Sequence, residues 1–239
     1  MSKTIKRIFL WSSPRNISTT LMYSFAQRSD TRVYDEPLYG YYLKSTNADQ
    51  YHPGAEEILN SLNCDGEAVV EEMLIANDKP VQFFKNMGHH LLDLDKSFTK
   101  DGYNVILTRD PKRMIASFSK VIENPSMKDI GYDDQLSLAN YFKQNDIPFI
   151  VIDSKDILMD PPSKLKEICQ FAGIPFEEQM LHWQKGARKE DGVWAKFWYA
   201  NVHNSEGFLE YKENTTDLPS NQVALYNDAI VSYNSLIKL

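Results

Sequence analysis

Two arginines in this chain are each followed by hydroxyl side chains: Arg15 by Ser18, Thr19 and Thr20, and Arg109 by Ser117 and Ser119. A guanidinium fork binds phosphate oxygens in pairs, hydroxyls add neutral donors, and a helix start adds free backbone N–H groups. Both stretches follow apolar runs and precede helical patterns. Each therefore reads as a strand, a tight turn and a helix N-terminus, the layout that holds a multiply charged phosphate ligand. Arg15, Asn16, Ile17, Ser18, Thr19 and Thr20 make the first candidate cradle, and Arg109 with Ser117 the second. Either stretch alone also fits a plain structural role, with Ser18 capping a helix or Arg109 pairing with Asp110. Neither holds the Gly-x-x-x-x-Gly-Lys-Ser/Thr pattern of ATP-binding loops.

The elements that must carry these residues follow from hydrophobic periodicity. Apolar runs predict strands at 5–11, 33–37, 80–86, 103–108 and 149–152. Helical patterns occupy 18–28, 54–63, 67–76, 112–122, 132–145, 163–172, 177–185 and 221–237. Asp110 and Pro111 suit the N-cap and first position of the helix at 112–122. Alternation of this kind predicts an α/β fold, a parallel β-sheet covered by helices on both faces, with ligands beyond the carboxyl ends of the strands. Residues 186–212 have weak periodicity and mix basic residues with Trp194, Phe197, Trp198 and Tyr199. Without repeats or linkers, residues 1–239 read as a single domain with 186–212 as a flap over a cofactor or substrate.

The net charge of −7 argues against a general nucleic-acid binder, while a local basic cluster can still hold a small anion. Cys64 and Cys169 lack paired spacing and read as reduced thiols, which together with the short apolar run near the start predicts a cytoplasmic protein without a membrane segment.

The resemblance then becomes specific. Residues 14–19, Pro-Arg-Asn-Ile-Ser-Thr, resemble the 5′-phosphosulfate loop of the sulfotransferase family, Pro-Lys/Arg-Ser-Gly-Ser/Thr-Thr. Arg109, Pro111 and Ser117 resemble that family's element for the 3′-phosphate of 3′-phosphoadenosine 5′-phosphosulfate (PAPS). Residues 152–161 and 171–175 resemble two further family segments, and 185–189 with 192–197 resemble its basic cofactor flap. These matches stand in the family's order. They imply a P-loop-like sulfotransferase fold related to P-loop kinases, PAPS as donor, adenosine 3′,5′-bisphosphate as product and no obligatory metal. They also imply that Arg188, Lys189 and Trp194 touch the donor. Three departures stand out. Ile17 replaces the loop glycine, so the backbone there is expected to avoid positive φ or to meet the ligand differently. Arg15 stands where many members have lysine. Met87 stands where the family's Lys-Thr-His segment has its histidine.

For the chemistry itself, Arg15 and Lys85 are the candidates for charge stabilisation at the leaving group, Lys85 by its likeness to that same segment. Glu36, in Asp35-Glu36-Pro37, is the preferred general base; its alternative is to cap a helix or pair with an arginine. His52 is the next candidate base, followed by His89 and His90. The tyrosines at 39, 41, 42 and 51 divide between pocket and core in a way the sequence does not show. The expected activity is sulfuryl transfer to a hydroxyl or amine of a small-molecule acceptor, with further copies of the chain as the remaining partner class. The alternatives are a magnesium-dependent nucleotide kinase on the same fold and a non-catalytic nucleotide-binding protein.

Overall fold

The computed structural model describes residues 5–213 and 217–239. Strands β1 (Lys6–Ser12), β2 (Thr31–Asp35), β3 (Val81–Met87), β4 (Tyr103–Thr108) and β5 (Phe149–Asp153) form a five-stranded sheet in the order β2-β3-β1-β4-β5. Every neighbouring pair is parallel. The helices between β1 and β3 are α1 (Ser18–Phe25), α2 (Tyr39–Ser45), α3 (Ala55–Ser61) and α4 (Gly66–Ile75). Between β4 and β5 lie α5 (Pro111–Phe118), α6 (Met127–Ile130) and α7 (Tyr132–Gln144). After β5 come α8 (Ser154–Met159), α9 (Pro161–Phe171), the short α10 (Ala195–Trp198) and α11 (Ala200–His203), and α12 (Val223–Leu236).

The side-chain alternation of β1 divides the core in two. Ile8 and Leu10 pack on one face with Leu21, Met22 and Phe25 of α1 and Leu165 and Ile168 of α9. Phe9 and Trp11 pack on the other with Val69 and Met73 of α4 and Phe142 of α7. β1 is buried on both faces, which is why it reads as a continuous apolar run. All five strands end at one edge, at Ser12, Asp35, Met87, Thr108 and Asp153, and the strand order reverses beside β1.

Most expected elements appear within a residue or two. Asp110 caps α5 by accepting from the Arg113 N–H, with Pro111 in the first turn. Four expectations change. The helix expected at 112–122 stops at Phe118. Residues 39–45 form α2, which the tyrosine-rich sequence does not announce. The first helix stops at Phe25 rather than reaching residue 28. Residues 177–185 hold only a 3-10 turn, Glu178–Leu181. The chain then extends to pair with 205–207: His182 bridges Gly207, the Trp183 N–H bonds the Glu206 carbonyl at 3.1 Å, and its indole N–H reaches Ser205 Oγ at 3.1 Å. Tertiary pairing wins over local helical preference here. Cys64 and Cys169 are free thiols. Among the described residues no helix is long and apolar enough to cross a membrane.

Candidate active site

A cleft of about 930 Å³ opens at the carboxyl edge of the sheet. Residues 14–20, between β1 and the first turn of α1, form one wall. Arg15 and Ile17 both adopt left-handed backbone conformation, each with φ 58°. Ile17 therefore takes the conformation expected of the family's glycine. This corrects the expectation that it would avoid positive φ: the loop keeps its shape and bears the strain of a β-branched residue there, on the order of 1–3 kcal/mol. Ser18 does not cap α1. Its N-cap is Ile17, with no side-chain cap, and the first α1 contact to the loop is the Leu21 N–H on the Ile17 carbonyl at 3.1 Å. The N–H groups of the first turn are thus left for a ligand. Asn16 is buried, its amide N–H₂ donating to the Leu107 carbonyl at 2.6 Å and its Oδ1 unpartnered.

Arg109, at the end of β4, donates to the Arg15 carbonyl, and Arg15 donates from Nε to Ser117 Oγ at 3.1 Å and from Nη1 to the Trp198 carbonyl at 3.0 Å. The two cradles expected from sequence are one network. Burial lowers the pKa of both guanidinium groups, and among the described residues neither makes a salt bridge. Arg109 does not pair with Asp110, which is engaged in the cap. Two partly buried cations without carboxylates, beside free N–H groups, suit an anion. Arg113 lies one turn beyond Arg109 on α5 and joins the lining; its guanidinium packs 4.6 Å from the Tyr211 ring, and Lys155 sits 5.2 Å from the same ring. Sequence reasoning missed these three; Arg109 precedes the N-cap of α5 and Arg113 stands in its first turn.

At the ends of β2 and β3 lies a buried ionic cluster. The parallel register sets Asp35 opposite Lys85. The Lys85 ammonium donates to Asp35 Oδ1 at 2.8 Å, Glu36 Oε1 at 2.6 Å and the Tyr199 hydroxyl at 2.6 Å, which uses all three of its N–H bonds. Tyr199 in turn donates to Asp35 at 2.8 Å and accepts from the Trp194 indole at 3.0 Å, and the Gly192 N–H reaches Asp35 Oδ2 at 3.0 Å. Burial opposes the Lys85 charge, and the two carboxylates outweigh it, holding the pKa above the ordinary lysine value. For Glu36, burial pushes the pKa up, Lys85 opposes this and Asp35 adds to it, with a raised value as the result. Glu36 has a positive φ of 47° and lines the cleft; Asp35 sits behind it. The structural alternative for Glu36, a pairing, is thus realised with Lys85 rather than with an arginine.

His52, His89, His90 and Tyr39 line the same cleft. Desolvation pulls His52 down to about 4 and His89 to about 3, and His90 lies well below the ordinary value. Tyr39 and His52 Nδ1 share a hydrogen bond of 2.7 Å. When the tyrosine O–H donates, the His52 proton sits on Nε2, which suits His52 to donating a hydrogen bond rather than removing a proton.

Trp194, Trp198, Tyr199, Asn201 and Val202 line the cleft, as do several residues between 205 and 213. Arg188 and Lys189 do not line the cleft. Arg188 packs 5.1 Å from the Tyr23 ring and lies 3.8 Å from Glu190, and Lys189 is exposed and 3.7 Å from Glu190. The acids that follow them in sequence hold them on the outside. Buried Asp191 does the fastening there, accepting from Tyr23 at 2.7 Å and from the Arg188 N–H at 2.8 Å. Asp153 caps α8 at Lys155 N and accepts from the Tyr233 hydroxyl at 2.6 Å. No group of three or more His, Cys, Asp or Glu among the described residues is placed to hold a metal ion.

A family model described as a sulfotransferase domain matches residues 6–237. The chain belongs to the sulfotransferase-domain family. The sulfotransferase domain from the curacin biosynthetic pathway aligns over 98% of this chain and 99% of its own, with a TM-score of 0.58 and 16% identity, and shares the fold. Two Arabidopsis thaliana proteins, named branched-chain-amino-acid aminotransferase-like proteins 1 and 2, are 38% and 37% identical over 231 residues, 96% of this chain. The chain spans 41% of the length of each, and their name describes those longer proteins.

The buried imidazoles of this sulfotransferase domain have a consequence for stability. A histidine whose pKa falls from about 6.5 when unfolded to a lower folded value contributes its full stability above 6.5 and loses it as pH falls toward the folded value. Replacing His52 by Asn removes that loss. Compared with the parent chain, the His52→Asn variant is expected to become progressively more favourable between pH 7 and about 5 in urea unfolding; a pH-independent difference would contradict a neutral, buried His52.

Proposed function

We propose that this domain transfers a sulfuryl group from PAPS to a hydroxyl or amine of a small acceptor. The observation that carries the reading is the pair of partly buried, carboxylate-free guanidinium groups, Arg15 and Arg109, beside the free first-turn N–H groups of α1. Family membership supports the reaction class. Arg15, Ser18, Thr19 and Thr20 suit the 5′-phosphosulfate, and Arg109, Arg113 and Ser117 suit the 3′-phosphate, in line with the family resemblance. When bound, PAPS supplies a sulfuryl group and leaves as adenosine 3′,5′-bisphosphate.

Positioning and charge stabilisation carry most of such a transfer, as in phosphoryl transfer. Lys85 is saturated in the resting cluster and reaches a new anionic oxygen only by releasing a partner. Glu36 is the partner it releases, since Asp35 is anchored from behind by Tyr199 and Gly192. The exchange frees Glu36 to take the acceptor's proton as the acceptor oxygen or nitrogen gains the sulfuryl group. Arg15 and Lys85 meet the electron pair left on the departing bridging oxygen.

Arg109→Ala is expected to weaken binding of adenosine 3′,5′-bisphosphate by about 1.5–3 kcal/mol, the scale of a hydrogen bond to a charged group, measured by calorimetry. Unchanged affinity removes Arg109 from the donor site. Glu36→Gln is expected to slow turnover roughly 10²–10⁴-fold at nearly unchanged bisphosphate affinity. In the parent enzyme, kcat/KM should rise with pH through the raised pKa of Glu36, above the ordinary value of about 4.3, because the base must be ionised. Persistence of that limb and of full turnover in the Gln variant would assign the base elsewhere.

A further inference from the structure

One part of the cleft has a chemistry opposite to that of the phosphate loop. Tyr39, His52, His89, His90, Asp129 and Trp198 line it. They touch one another in sequence: Tyr39 stacks on His90 at 5.0 Å, His89 meets His90 at 4.6 Å, and His52 lies 6.4 Å from Trp198. His52 Nε2, His89 Nδ1 and His90 Nδ1 have no partner within the chain, and the three residues are 9%, 6% and 2% exposed. Buried polar atoms in this state favour a ligand that hydrogen-bonds them over a purely apolar one. Gly131, at φ 65°, leaves the room that His89 fills, since a β-carbon there would meet Nδ1 at 2.8 Å.

The charge of this wall is negative. Asp129 is buried, yet accepts from the Ser126 N–H at 2.7 Å, from Ser126 Oγ at 2.6 Å and from the Tyr51 hydroxyl at 2.6 Å. Burial opposes its ionisation, and these donors outweigh it, keeping the carboxyl below its ordinary value. Burial lowers the pKa of the three imidazoles and so disfavours their charged form. Lys85 is matched by Asp35 and Glu36 together, and Arg15, Arg109, Arg113 and Lys155 gather around the phosphate loop, α5 and Tyr211. A carboxylate that lines a cleft with aromatic side chains and makes no salt bridge among the described residues favours an ammonium group.

We infer that the acceptor is a small molecule carrying a protonated amine in addition to the hydroxyl or amine that receives the sulfuryl group, with Asp129 and the Tyr39–Trp198 aromatic walls holding the ammonium. This rests on the sulfuryl-transfer reading and narrows it from any hydroxyl or amine to an amino alcohol, aminophenol or diamine. The three imidazoles hydrogen-bond the remaining polar atoms, and Glu36 faces the nucleophile. Hydroxy acids and plain phenols are selected against by the same wall.

The test uses three probes on one ring: tyramine, p-cresol and 4-hydroxyphenylacetate, cationic, neutral and anionic at neutral pH. Calorimetry measures their binding to the intact chain saturated with adenosine 3′,5′-bisphosphate, and labelled PAPS measures transfer to each. Tyramine is expected to bind roughly tenfold more tightly than p-cresol and more tightly still than the acid. Asp129→Asn should bring tyramine and p-cresol together without changing bisphosphate affinity, and Asp129→Glu, which keeps the charge, should retain the preference. Preference for the neutral or anionic probe, no binding of tyramine, or a preference that survives Asp129→Asn overturns the inference. Failure of the bisphosphate itself to bind would instead overturn the donor reading, so the two are told apart.

Discussion

The Lys85 ammonium is taken wholly out of water at the end of β3, and a charge in that position must be paired. Its partners come from three directions: Asp35 across the parallel register, Glu36 from the turn after β2, and Tyr199 from between α10 and α11. The arrangement ties the sheet edge and the cleft to the segment 192–199. Asp35 serves the fold as much as the site, because it also receives Tyr199 and the Gly192 N–H. Residues 192–199 are therefore tied to the same carboxylate that holds the lysine. Of the two carboxylates on the ammonium, Glu36 lines the cleft and Asp35 lies behind it.

Backbone strain gathers around the same point. Arg15, Ile17 and Glu36 all have positive φ, and all line the cleft. Such conformations persist where the surroundings over-determine them. Here Asn16 is fixed by Leu107, Arg15 by Ser117 and Trp198, and the Glu36 N–H by the Lys85 carbonyl at 2.8 Å. The loop keeps the shape associated with glycine because its neighbours grip it.

The fold was legible because five buried strands are apolar runs and because Asp110-Pro111 marks a helix start. α2 escaped because its tyrosines carry no alternation of charge and follow a proline. The site was legible where hydroxyls and arginines cluster in sequence, at 15–20 and 109–117. Asp35 escaped as a residue of consequence because its partner is 50 residues away and only the β2–β3 register joins them. Arg188 and Lys189 looked like phosphate ligands by type. Glu190 and Asp191, the next two residues, were the signal that they are paired or anchored on the outside. His52 lines the cleft, but burial lowers its pKa and Tyr39 bonds its Nδ1, an arrangement that suits a donor better than a base.

The central claim is that the cradle formed by Arg15, Arg109 and α1 binds the phosphosulfate donor. Thermal unfolding in adenosine 3′,5′-bisphosphate, in ATP with magnesium and in AMP tests it most directly. At about 100 times its dissociation constant a ligand adds roughly 2.7 kcal/mol of stability, an easily read shift in Tm. The predicted result is strong stabilisation by the bisphosphate without added metal, and little by the other two. Stabilisation only by ATP with magnesium would contradict the claim and favour a kinase.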